Sequence, residues 1–126
     1  LDVQDKFIMI DRQPQEKIPE LLACCNAAFV SFMDNELFTK TIPAKLQSYM
    51  ACGMPILASA SGETKRVVEE AECGLCSEIG DVDGLCQIIE KMKEKDLQEM
   101  AKKSRGYYLD NFEKKMLMDE MEEYLR

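Results

Sequence analysis

The feature that most constrains this chain is an alternation of short, continuous apolar runs with stretches of helical periodicity. Parallel strands buried on both faces by crossover helices produce this pattern. Phe7-Ile8-Met9-Ile10 reads as a first strand. After a loop through Pro14, apolar residues recur at Ile18, Leu21, Leu22 and Cys25, the stripe of an amphipathic helix with Pro19 in its first turn. Ala28 to Met33 reads as a second strand, Ile56-Leu57-Ala58 as a third and Leu75 to Ile79 as a fourth.

Helical patterns fill the intervals. A polar loop, Asp34 to Ile42, leads to Pro43, whose fixed φ and missing donor suit the first position of a helix that buries Leu46, Tyr49 and Met50 and stops at Gly53. Ser61 is placed to cap a helix through Val67, Val68 and Ala71 that closes at Gly74. Asp81 caps a helix carrying Leu85, Ile88, Ile89 and Met92, and Asp96 with Glu99 forms a capping-box-like pair for the next. Asn111-Phe112 marks a joint before a last amphipathic segment, Met116 to Leu125. This order predicts an α/β fold: a partial Rossmann-like, doubly wound parallel sheet of about four strands, flanked by helices and ending in a helical C-terminus.

A chain of 126 residues is the size of one domain with one core. Its apolar runs are too short to span a bilayer, and Leu1 to Lys6 lacks the basic start and long apolar stretch of a signal peptide. The chain also begins without Met, so an excised domain is expected. With 24 acidic and 16 basic residues the net charge is −8, which opposes attraction to nucleic acid or anionic lipid. A phosphate-bearing ligand must therefore be held by local groups. Six cysteines and no histidine give no zinc-ligand spacing, so no metal and no cofactor are expected. Cys24, Cys25, Cys52 and Cys86 fall inside helical patterns, where reduced cysteine behaves as a small buried hydrophobe. Cys73 and Cys76 have the spacing of a redox pair but follow a helix and open a strand, a structural setting. A reducing cytoplasm is the expected compartment.

In open α/β sheets ligands bind at the carboxyl ends of the strands, which directs attention to the loops after Ile10, Met33, Ala58 and Ile79. Ile42 precedes proline and is held extended, so the free amides at the helix start are those of Ala44 and Lys45. With the helix dipole and the Lys45 ammonium they could bind a pyrophosphate; spacing alone does not separate this from an ordinary helix start with a solvated lysine. Ser61-Gly62-Glu63 is similarly open, since Glu63 suits any helix N-terminus while Gly62 would let a ligand approach the backbone. Asp34, Glu36 and Lys40 read as a mobile, solvated loop.

The stretch from Thr41 to Ala58, containing Pro43-Ala44-Lys45-Leu46 and Tyr49-Met50-Ala51-Cys52-Gly53-Met54-Pro55, resembles the signature of family 4 (group 1) glycosyltransferases. Gly62-Glu63, the run Val67 to Leu75, Asp81 and Asn111-Phe112 resemble further blocks of that family at matching positions. The resemblance implies two facing Rossmann-like domains, of which residues 1–126 are part of the C-terminal, nucleotide-sugar-binding one; the N-terminal acceptor domain is absent. It implies a retaining, metal-free sugar transfer from a nucleotide diphosphate sugar, with uridine the expected nucleoside, in surface polysaccharide synthesis. By the same resemblance Ile10, Asp11 and Arg12 lie near the base, Ile42, Pro43, Ala44 and Lys45 at the diphosphate, and Gly62 and Glu63 beside the sugar or its phosphates. The expected location is cytoplasmic, membrane-peripheral for a full-length parent, and the expected partners are the donor, the missing domain and a second copy of the chain.

Many members of the family place a glutamate where this sequence has Ser48, to hold the ribose hydroxyls, and another where it has Lys40. A neutral hydroxyl cannot accept two charge-assisted hydrogen bonds as a carboxylate does. Ser48 is therefore both a donor-site candidate and the main support for an alternative, a degenerate module that holds a nucleotide or a partner without catalysis. A phosphoacceptor receiver is disfavoured, because Asp11 has no acidic neighbour on its strand and no late strand-end lysine accompanies it.

Overall fold

The computed structural model describes residues 2–126. Three parallel strands, β1 (Ala28–Ser31), β2 (Ile56–Ser59) and β3 (Gly74–Ser77), pair in sequence order, with Ala28 opposite Ile56 and Ile56 opposite Gly74. Before β1 lies α1 (Ile18–Ala23), preceded by 3-10 turns at Gln4–Lys6 and Gln15–Lys17. The β1-to-β2 crossover contains α2 (Glu36–Thr39) and α3 (Ala44–Ala51), and α4 (Gly62–Ala71) joins β2 to β3. Beyond β3 come α5 (Val82–Met92), α6 (Leu97–Asn111) and α7 (Lys114–Leu125).

Because strand side chains alternate between faces, Ile56 and Ala58 point to one side of the sheet and Leu57 to the other. On the first side they join Leu46 and Met50 of α3 and Val67, Val68 and Ala71 of α4 in the core. On the second side Leu57 shares a hollow with Ile89 and Met92 of α5. Helix α6 packs on α3, and Arg105 donates a hydrogen bond from α6 to the Ala51 carbonyl, closing the C-terminal end of α3. In this way the site-bearing helix is held from both its core face and its end.

Four expectations are corrected. Phe7 to Ile10 is not a strand: among the described residues it finds no partner, and its four apolar side chains stand 69%, 85%, 92% and 59% exposed. A strand exists by virtue of a neighbour, and this segment does not take up the free edge of β1. Helix α4 is closed by Glu72 in the left-handed region (φ 52°), not by Gly74. Gly74 opens β3, where an added Cβ would come 1.8 Å from the Ile56 carbonyl oxygen, so glycine is required for close strand pairing. Asp34 to Ile42 contains a turn of helix, α2, with the Asn35 side chain accepting from the Leu37 amide at 2.9 Å. Finally, Cys24, Cys25, Cys52 and Cys86 are exposed; α1 ends before the first two, and Cys52 sits at the end of α3.

Candidate functional site

Helix α3 starts one residue later than expected. Pro43 (φ −70°, ψ 146°) is its extended N-cap, and the first ring-closing bond runs from the Leu46 amide to the Pro43 carbonyl at 3.1 Å. The amides of Ala44 and Lys45 lie ahead of that bond and form the donor-rich head of the helix. No side chain caps this end. Pro43 and Ile42 are half-buried, while Ala44, Lys45 and Ser48 are exposed.

Lys45, Ser48, Tyr49 and Cys52 are spaced i, i+3, i+4 and i+7, one face of α3. That face opens on a cavity of about 440 Å³ whose other wall is the start of α1, with Gln15, Ile18 and Pro19. The volume is within the range of small-molecule sites, and Lys45 is the one charged side chain lining it. The structure thus brings two of the sequence-selected residues, Lys45 and Ser48, into one concavity. Tyr49 is also packed against the core, which fixes its place in the wall.

The remaining candidates lie outside this cavity. Ile10, Asp11 and Arg12 are exposed on the unpaired N-terminal segment, where the Asp11 carbonyl accepts a hydrogen bond from the Gln13 amide at 3.0 Å. Gly62 and Glu63 head α4, where the chain itself crowds the glycine: φ is 63°, and an added Cβ would lie 2.0 Å from the Thr39 carbonyl oxygen of α2. The Glu63 carboxylate accepts from Arg66 at 2.8 Å, and these hydrogen bonds hold its pKa below the usual carboxylate range. As placed, Glu63 is engaged along its own helix. Beside it, Thr64 is fully buried and its hydroxyl has no hydrogen-bond partner.

Sequence reasoning missed Gln15, Ile18, Pro19 and Tyr49 as cavity residues. In sequence Ile18 and Tyr49 belong to apolar stripes, and nothing in sequence spacing shows that α1 and α3 stop short of full contact. The available signal was the i, i+3, i+4, i+7 set on α3, which carries a lysine, a serine and a cysteine around one tyrosine. Burial pushes the Cys73 and Cys76 thiols up to about 11 and about 12, the opposite direction from the lowered value that activates a redox thiol. Among the described residues no group of three or more Cys, Asp or Glu side chains is arranged to hold a metal ion, and no helix is long and apolar enough to cross a membrane.

A parallel sheet with helices packed on both faces defines the class of open α/β units. The sequence profile described as "Glycosyl transferases group 1" matches residues 1–108, and the chain belongs to that family. It is similar to the N-acetyl-alpha-D-glucosaminyl L-malate synthase of Bacillus anthracis, 24% identical over 124 residues, a match that covers 97% of this chain and 31% of that protein. The chain therefore spans about a third of that relative's length. No solved structure matches it significantly.

Proposed function

We propose that the chain forms the donor-binding part of a retaining glycosyltransferase that takes its sugar from a uridine diphosphate sugar. The observation that carries this reading is the cavity lined by Lys45 and Ser48 along one face of α3, a helix whose head bears free amides and no side-chain cap. An anion held at the head of α3 would meet those amides, the positive end of the helix dipole and the Lys45 ammonium, and in sugar transfer such groups stabilise the charge that develops on the departing diphosphate. At a net charge of −8 this local concentration of positive potential is what makes phosphate binding possible. The same reading makes residues 1–126 a partial C-terminal domain that works against an acceptor domain, with surface polysaccharide as the proposed acceptor. The relative's printed name pairs an amino sugar with malate and supports sugar transfer without favouring that acceptor.

Removing the ammonium in Lys45→Ala should weaken uridine diphosphate binding by the full-length protein by about 1.5 kcal/mol, the low end for a charged hydrogen bond because the side chain is exposed. Calorimetric titration measures it, and an unchanged affinity moves the phosphate site elsewhere. A second reading, a nucleotide-holding module without catalysis, is favoured by one residue: Ser48 puts a hydroxyl in the cavity where the family resemblance calls for a carboxylate. Nucleotide binding by the full-length protein with no release of sugar from any donor would select it.

A further inference from the structure

We infer that Cys25 and Cys52 form a reversible disulfide, a redox clasp that ties α1 to α3. The inference is independent of what the α1/α3 cavity binds. Helical periodicity calls for buried side chains at both positions, yet both are exposed, free thiols. Cys25 follows the end of α1, and Cys52 is the C-cap of α3. The two residues line one hollow of about 450 Å³, walled also by Leu22, Gly53 and, from α6, Gln98 and Ala101. Cys52 lines the α1/α3 cavity as well, so the bond holds the walls of that cavity together at the end of α3 remote from Lys45.

The sheet explains the juxtaposition. Cys25 stands three residues before Ala28 and Cys52 four before Ile56, and Ala28 and Ile56 are partners at the start of β1 and β2. The segments leading into the two strands are already joined, because the Ala28 amide donates to the Pro55 carbonyl at 2.9 Å. Neighbouring strands lie about 4.8 Å apart, and a disulfide bridges Cα atoms about 4.4–6.8 Å apart, so the spacing set by the strand pair is of the size this bond spans. The Cys25 thiol rests on the Leu21 carbonyl at 3.5 Å, a weak contact that rotation about χ1 releases. Cys24 and Cys86 are also exposed but do not line the hollow, and Cys73 is buried.

A low-molecular-weight disulfide is the oxidant, and the reaction is two exchanges. The thiolate of one cysteine attacks the small disulfide, breaks its S–S bond and expels one small thiolate. The thiolate of the other then attacks the mixed disulfide at the protein sulfur and expels the second. One S–S bond forms as one breaks, and the two electrons lost by the protein leave on two small thiols, which carry the two protons. Excess thiol runs both steps backwards.

The test is equilibration of the native, full-length protein in buffers of oxidised and reduced glutathione, acid quenching, and peptide mapping by mass spectrometry without reduction. A peptide pair joined through Cys25 and Cys52 should accumulate as the buffer becomes oxidising and disappear when dithiothreitol is added. The linked protein should have a higher denaturant midpoint than the reduced one, because the bond closes the loop from Cys25 to Cys52 in the unfolded chain. That gain should be lost in Cys52→Ser and kept in Cys24→Ser; comparing the parent with and without reductant needs no variant. Glutathione adducts at Cys25 and Cys52 with no link between them overturn the inference. So do a link from either residue to another cysteine, a link between two molecules, and a linked protein less stable than its reduced form.

Discussion

Two glycines show how far single residues were legible. Gly62 stands out in sequence because it would admit a ligand, and Gly74 because it would stop a helix. In the fold both are required by the chain's own backbone, the Thr39 carbonyl at Gly62 and the Ile56 carbonyl at Gly74. Sequence announces that a glycine matters but not what approaches it, since the approaching group lies tens of residues away. Gly74→Ala should cost on the order of 2 kcal/mol through overpacking of the β2–β3 pair, read as a shift in denaturant midpoint. An unshifted midpoint would mean the strands separate there at no cost. The thiols give a second residue-scale prediction. Cys73 and Cys76 keep their protons in the folded state up to about 11 and about 12, whereas the unfolded chain loses them from its ordinary value of 9.0. Their contribution is fully present below pH 9 and is lost as pH rises toward 11 and 12, by up to about 1.4 kcal/mol per pH unit for each thiol. A Cys73→Ser, Cys76→Ser double variant should show a flatter fall of stability over that window. If its slope matches the parent's, burial is not protecting these thiols.

At the scale of elements, the helices were read well wherever the cap chemistry was local. Asp81 accepts from the Gly84 amide at 2.9 Å, Asp96 from the Glu99 amide at 3.1 Å, and each opens the expected helix. Asp81→Ala and Asp96→Ala should each destabilise the fold by about 1 kcal/mol in chemical denaturation, the usual loss when an N-cap oxygen disappears. A loss near zero for either would mean that tertiary packing alone sets that helix start. Ser61 heads α4 as expected but makes no side-chain capping bond. Strands fared differently. Three of the four apolar runs pair, and Phe7 to Ile10 does not, although its composition is the most strand-like of the set. Apolar runs report a wish for burial, and pairing depends on what else the sheet contains.

For the whole molecule, the candidate site was half legible. Lys45 and Ser48 on α3 were among the residues singled out in sequence, while the opposing wall came from α1 and the turn before it, whose distance from α3 is a property of packing. The same packing leaves apolar surface open. Phe7 to Ile10 stands free, Phe29 on edge strand β1 is 48% exposed, and α7 rests on α6 with Met121, Tyr124 and Leu125 turned outward. Strand β1 pairs only with β2, so one row of its backbone groups faces away from the ladder. Soluble monomers rarely keep such a combination in water. A net charge of −8 opposes association, yet it acts at long range and is screened beyond about 8 Å at physiological salt, whereas apolar contact acts at closest approach. The 126-residue chain on its own should therefore self-associate at micromolar concentration, through its N-terminal segment, the β1 edge or α7. Sedimentation velocity at low and moderate salt tests this, with association strengthened as salt screens the charge. Replacing Met121 and Leu125 by Ser should weaken it if α7 contributes, and Ile8→Asp if the N-terminal segment does. A monomer at all salt concentrations, with the Phe7 to Ile10 amides protected from hydrogen exchange, would show instead that the segment docks within its own chain and that the open surface closes without a partner.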